Sequence, residues 1–115
     1  MTVFDWSEGS KISAPEGFSR WSAKGQDIQV LRLAASPGVG SRPEHHHVNE
    51  QCVVVLEGGL DLTVDGHVHT LGPGQGCIVP SNVPHSAQIG DEGVVLIEIY
   101  SPPRPDGAGE LAASV

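Results

Sequence analysis

The stretch EHHHVNEQC, residues 44 to 52, places three consecutive histidines just ahead of a Glu-Gln pair. Imidazole nitrogens and side-chain oxygens of these types bind first-row divalent metals. In an extended strand successive side chains point to opposite faces, so His45 and His47 can converge on one point while His46 points away. The same count puts Asn49, Gln51, Val53 and Val55 with His45 and His47, and Glu50 and Cys52 with His46. The neutral Gln51, not the acidic Glu50, is therefore expected to face a site. A bend at Val48-Asn49 would shift this count, and the plain alternative for His45 and His47 is a pair of polar residues at a strand start. A second H-x-H pair, His67 and His69 in DGHVH, follows a turn and has no further spaced ligands, so solvent exposure is expected there.

The elements that must carry these side chains are short strands. DIQVLRLA, residues 27 to 34, alternates with Ile28 and Val30 on one face and Gln29, Leu31 and Leu33 on the other. QCVVVL, 51 to 56, is apolar enough to be buried on both faces, and EGG is expected to stop it. LDLTV and HVHTL flank Asp65-Gly66, a pair suited to a type I′ hairpin. GCIVP and GVVLIEIY supply two more strands, with SNVPHSAQIGDE expected as the loop between them. No segment has a sustained helical period. Fifteen glycines and nine prolines spread between these runs point to an all-β barrel or sandwich. Residues 1–26, with Phe4, Trp6, Phe18 and Trp21, are expected to form an arm over a sheet edge, of this chain or of a partner. The barrel is expected over 27–104, and a frayed tail over 105–115.

Composition narrows the function. A chain of 115 residues is one domain. Six Lys and Arg against fourteen Asp and Glu give a formal charge of −8, which repels phosphate backbones and anionic lipids, so neither nucleic acid nor a membrane is an expected partner. Cys52 and Cys77 show no metal or redox spacing and read as small packing residues. The N-terminus lacks the charge and apolar run of a signal peptide, so a cytoplasmic location with reduced thiols is expected.

At this point the chain resembles a family, the small single-domain cupins. Their first motif, G-x5-H-x-H-x3-E-x6-G, is met by His45, His47, Gln51 in place of Glu, and Gly58, although Gly40 lies one residue too close to His45. Their second motif, G-x5-P-x-G-x2-H, is met by Gly74, Pro80, Asn82 in place of the second glycine, and His85. The resemblance implies a double-stranded β-helix, or jelly-roll, barrel. It also implies one divalent transition metal (Fe, Mn, Ni, Zn or Cu) held by His45, His47, Gln51 and His85. A homodimer is implied as well.

The run H-x-H-x2-E-Q, then VLEG, then PSNVPH, is most similar to the pectin-degradation cupins that ring-open unsaturated uronates. Those proteins carry a strand ending D-x-F-S-P-x-R; here it reads EIYSPPR, with Glu98 for Asp, Tyr100 for Phe, and Arg104 retained. The resemblance implies that Glu98, Tyr100 and Arg104 are catalytic. Arg104 would clamp a carboxylate and Glu98 would shuttle a proton during ring opening or isomerisation of a small anionic sugar acid. The alternatives are another cupin enzyme, such as a dioxygenase, an isomerase or a polyketide cyclase, and a non-catalytic small-ligand-binding cupin.

Overall fold

The computed structural model describes residues 1–105, so the expected tail beyond Pro105 lies outside the described residues. A 3-10 turn at Glu8–Ser10 precedes eight strands: β1 Lys11–Ile12, β2 Phe18–Lys24, β3 Gln29–Ala35, β4 Ser41–His45, β5 Glu50–Val64, β6 His67–Leu71, β7 Gly76–Val79 and β8 His85–Ser101. No α-helix occurs among the described residues, and no helix is long and apolar enough to cross a membrane.

All pairings are antiparallel, in the order β1-β2-β3-β8-β5-β6, with β4 on β8 and β7 on β5. The two long strands each serve two sheets. The first half of β5, from Glu50 to Val55, pairs with β7 and with the end of β8, which itself pairs with β3. Its second half, from Leu60 to Val64, pairs with β6 and with the start of β8, which carries β4. Leu33, Val53, Val55 and Val79 of one half and Leu60, Leu62, Leu71 and Ile89 of the other form one buried cluster, so the two halves face each other in a jelly roll.

The expectation that EGG ends a strand is corrected. β5 continues through Glu57, Gly58 and Gly59, with register shifts at Val55/Glu57 and Gly58/Leu60. Gly58 takes φ 71°, and a Cβ there would collide with the Gly93 carbonyl oxygen, so these glycines bend the strand from one sheet into the other. SNVPHSAQIGDE is corrected for the same reason: β8 already begins at His85 and turns at Gly93, where φ is 77°. The hairpin forms as expected, with Asp65 at φ 49° and Gly66 at φ 81° between paired Val64 and His67. The alternation in β3 also holds, with Gln29, Leu31 and Leu33 inward.

Within the 1–26 segment, β2 is paired along all of β3, and the short β1 pairs with Arg20 and Trp21 of β2. This stretch therefore extends the sheet beyond β3, with Trp21 flanked by the Arg32 guanidinium at 4.8 Å and the Lys11 ammonium at 5.7 Å.

Candidate metal centre

Three elements meet at one mouth of the barrel. His45 ends β4 and is the cross-strand partner of His85, the first residue of β8; His47 lies two residues further, before β5. Ring centroids are 4.3 Å apart for His45 and His85, 4.9 Å for His47 and His85, and 5.5 Å for His45 and His47. Their candidate ligand atoms all lie within 4.8 Å of one another, a cluster that can bind a metal ion. The loop behind His85 holds this arrangement: the Asn82 N–H donates to the His47 carbonyl at 2.7 Å and the Ser81 hydroxyl to that of Val48 at 2.6 Å. Asn82 sits at φ 63°, a left-handed conformation that asparagine tolerates and that accounts for its standing where glycine is usual.

Each imidazole is locked in one tautomer. The Nδ1 atoms of His45, His47 and His85 contact the carbonyls of Pro43, Asn49 and Val83 at 3.1, 3.0 and 2.8 Å. A carbonyl only accepts, so Nδ1 carries the hydrogen and Nε2 keeps its lone pair. All three Nε2 atoms are buried without a hydrogen-bond partner, and so is Oε1 of Gln51. Buried polar atoms left unpaired are costly, and four of them here, three imidazole nitrogens and an amide oxygen, form a donor set suited to a first-row divalent ion. The residues present therefore fit the metal that the sequence motifs imply.

Burial depresses all three imidazoles, His45 from 6.5 to about 4, with neighbouring positive charges adding to it. At neutral pH they are free bases, as ligation requires. A group whose folded pKa lies below its unfolded value contributes stability that is present above the unfolded value and lost as pH falls through the folded one. Metal-free protein is thus expected to lose stability as pH drops from about 6.5 towards about 4. Urea midpoints measured across that window check this, and a flat profile would contradict it.

Beneath the histidines lies a polar cluster. Glu98, 5% exposed, receives Arg42 Nη1 at 3.3 Å and Gln51 Nε2 at 3.1 Å on Oε1, and the Tyr100 hydroxyl at 3.3 Å on Oε2. Burial, and then the Glu98 charge, push the Tyr100 phenol up to about 12, so it stays protonated and donates. The Arg104 guanidinium lies 5.3 Å from the Tyr100 ring centroid, and its charge helps to depress His47. The segment carrying Arg104 is pinned by three bonds: Asn49 Nδ2 to the Pro102 carbonyl, the Arg104 N–H to Gln29 Oε1, and the Ser101 hydroxyl to the Asp27 carbonyl.

The structure therefore brings His45, His47, Gln51 and His85 together, with Glu98, Tyr100 and Arg104 beside them. His46, Glu50, His67 and His69 are exposed. Sequence reading missed Arg42, Asn49 as an anchor, and Gln29. Arg42 has the opposite parity to His45, yet a register shift between the two turns both into the same cavity. Asn49 shares the histidine face by parity, which was the available signal for it.

A family model described as a cupin domain matches residues 32–100. The chain is 27% identical over 86 residues to the pectin degradation protein KdgF of Dickeya dadantii, covering 75% of this chain and 76% of that one. It superposes on an RmlC-like cupin from Shewanella frigidimarina with a TM-score of 0.81 at 26% identity, over 92% of this chain and 96% of that one. Superposition on KdgF from Halomonas sp. gives a TM-score of 0.79 at 21% identity, over 91% and 98%, a likeness of fold.

Proposed function

Since the chain belongs to the cupin family, we propose that it is a metal-dependent enzyme acting on a small anionic molecule, and that its reaction is the ring opening of an unsaturated uronate. The observation that carries this reading is the set of four buried, unpartnered donor atoms at one end of the barrel, flanked by Arg104 and Glu98. His45, His47 and His85 through Nε2, and Gln51 through Oε1, would hold one divalent ion. When bound, the ion would supply Lewis-acid polarisation of a substrate oxygen. All four donors are neutral, so the site favours an anionic ligand. Zinc, nickel, copper, iron and manganese all remain compatible with such a donor set.

Arg104 supplies the recognition. Its planar guanidinium offers parallel N–H donors to a carboxylate, and the bond that Asn49 donates to the Pro102 carbonyl and the one that Gln29 Oε1 accepts from the Arg104 N–H fix the backbone from which it reaches. Glu98 supplies the proton transfer. An isomerisation gains and loses no proton overall, so one carboxylate that takes a proton and returns it is sufficient. Oε1 of Glu98 is held by Arg42 and Gln51, which leaves Oε2, bonded to the Tyr100 hydroxyl, as the oxygen that carries the proton. These same bonds fix the reach of a side chain one methylene longer than the usual aspartate.

The test is to load the purified protein with a divalent metal and follow unsaturated galacturonate by loss of its conjugated absorbance. Metal-dependent turnover is expected. No turnover from fully loaded protein would overturn the uronate assignment.

The free thiols of Cys52 and Cys77 suit a cytoplasmic protein. We further propose a homodimer formed through the outer face of the β7-β5-β8-β3 sheet. Ile78, Cys52, Ile99 and Val30 form one cross-strand row on that face, and Ile78 and Leu56 are 58% and 47% exposed. Light scattering is expected to find a dimer at micromolar concentration and a monomer for Ile78→Asp. A monomeric wild type would contradict the proposal.

A further inference from the structure

Gln51 has a side-chain amide whose two ends differ chemically, and only one of them can ligate a cation. An amide free to rotate presents its NH2 group as readily as its oxygen, and the NH2 is a donor with no lone pair to offer. In this structure the choice is made by Glu98. Gln51 Nε2 donates to Glu98 Oε1 at 3.1 Å, which leaves Oε1 of Gln51 as the free end of the amide, buried and unpartnered in the cavity that Gln51 lines with His45 and His85. Glu98 is itself held: Arg42 Nη1 lies 3.3 Å from the same oxygen, with side-chain exposures of 12% for Arg42 and 6% for Glu98.

The pair also spans the barrel. Arg42 stands on β4, the strand that ends in His45, whereas Glu98 stands on the half of β8 that pairs with the Gln51 strand. The two sheets that contribute His45 and Gln51 are therefore tied together through one carboxylate oxygen. A carboxylate has no donor of its own, so it enforces one orientation of the amide, whereas a hydroxyl or water, being both donor and acceptor, would not. We propose that Arg42 and Glu98 are positioning residues, which hold the Gln51 amide oxygen towards the histidine cluster and thereby set the affinity of the site for a divalent cation. This rests on the metal-site reading given above.

The metal ion alone, zinc, is the probe, with affinity read by competition against a chromophoric chelator. Replacing both partners by apolar side chains of similar size, Arg42→Met with Glu98→Leu, leaves no uncompensated buried charge, and such replacements are well tolerated by folds. Melting of the metal-free form verifies folding. The double variant is expected to bind zinc roughly 10- to 100-fold more weakly, the range for loss of outer partners of a metal ligand. Glu98→Gln keeps an acceptor for both bonds but adds an NH2 donor that can also hold the flipped Gln51 amide, so its affinity is expected to fall between the wild type and the double variant. In a Gln51→Ala background the Arg42→Met/Glu98→Leu pair should have no further effect, because it acts through Gln51.

Wild-type affinity in the double variant, or losses that multiply independently of Gln51→Ala, would overturn the proposal. A measurement on the wild type stands apart from any failure to fold. In zinc-loaded protein one proton of the Gln51 side-chain NH2 is expected to resist exchange in NMR spectra, and two rapidly exchanging protons would contradict the assigned orientation. Wild-type protein that takes up no zinc would remove the metal reading and this proposal together; zinc uptake without the predicted coupling would remove this proposal alone.

Discussion

His85→Ala is expected to weaken divalent-metal binding by more than about 100-fold, beyond the range seen when only an outer partner of a ligand is lost. His85 is 3% exposed, and its ring lies against both other imidazoles, at 4.3 and 4.9 Å between centroids. Its removal leaves two imidazoles and one amide oxygen, a set too small to displace most of the water around a divalent ion. Metal content after dialysis should fall to near zero, and turnover with it. His46→Ala and His67→Ala are the controls: both side chains are exposed, and metal content should be unchanged in each. A loss of equal size in His46→Ala would mean that strand parity had chosen the wrong histidines.

Arg104→Ala is expected to lower kcat/KM for a uronate roughly 30- to 150-fold, the equivalent of about 2–3 kcal/mol when one partner of a desolvated charge pair is removed. The loss should appear in substrate binding and positioning while metal content stays at the wild-type level. The backbone N–H of residue 104 still reaches Gln29 Oε1, so the segment keeps its anchor in the variant. Arg104→Lys should recover only part of the activity, because an ammonium keeps the charge without the planar two-donor fork. Against a substrate analogue lacking the carboxylate, wild type and Arg104→Ala should behave alike. An undiminished kcat/KM on the uronate itself would show that Arg104 does not contact its carboxylate.

Local chemistry explains which features were legible in the sequence. The Asp65-Gly66 hairpin was readable because two adjacent residues with positive φ are a short-range requirement that few side chains meet. The convergence of His45, His47 and Gln51 agrees with strand parity even though β4 ends at His45 and the chain bends at Val48-Asn49 before β5 begins, because exposure still alternates through the connection, with His46, Val48 and Glu50 outward. The length of β5 and β8 was not, since Gly58 and Gly93 read as breaks in sequence and act as bends in space. Arg42 was hidden by the register shift that separates it from His45, which reverses its parity. The orientation of the Gln51 amide depends on Glu98, 47 residues away along the chain, and no local pattern carries that information. Asn49 and Gln29 were on the correct faces by parity, but their partners at Pro102 and Arg104 are set by where the end of β8 leaves the sheet.

Nε2 of His45, His47 and His85 and Oε1 of Gln51 are the four proposed ligands of one metal ion. Metal analysis of the purified protein, before and after incubation with divalent ions and gel filtration, tests this assignment most directly when the Gln51→Ala/His85→Ala variant is run beside the wild type. About one bound divalent ion per chain is expected for the wild type and almost none for the variant. A wild type that retains no metal, or a variant that retains as much as the wild type, would contradict the account.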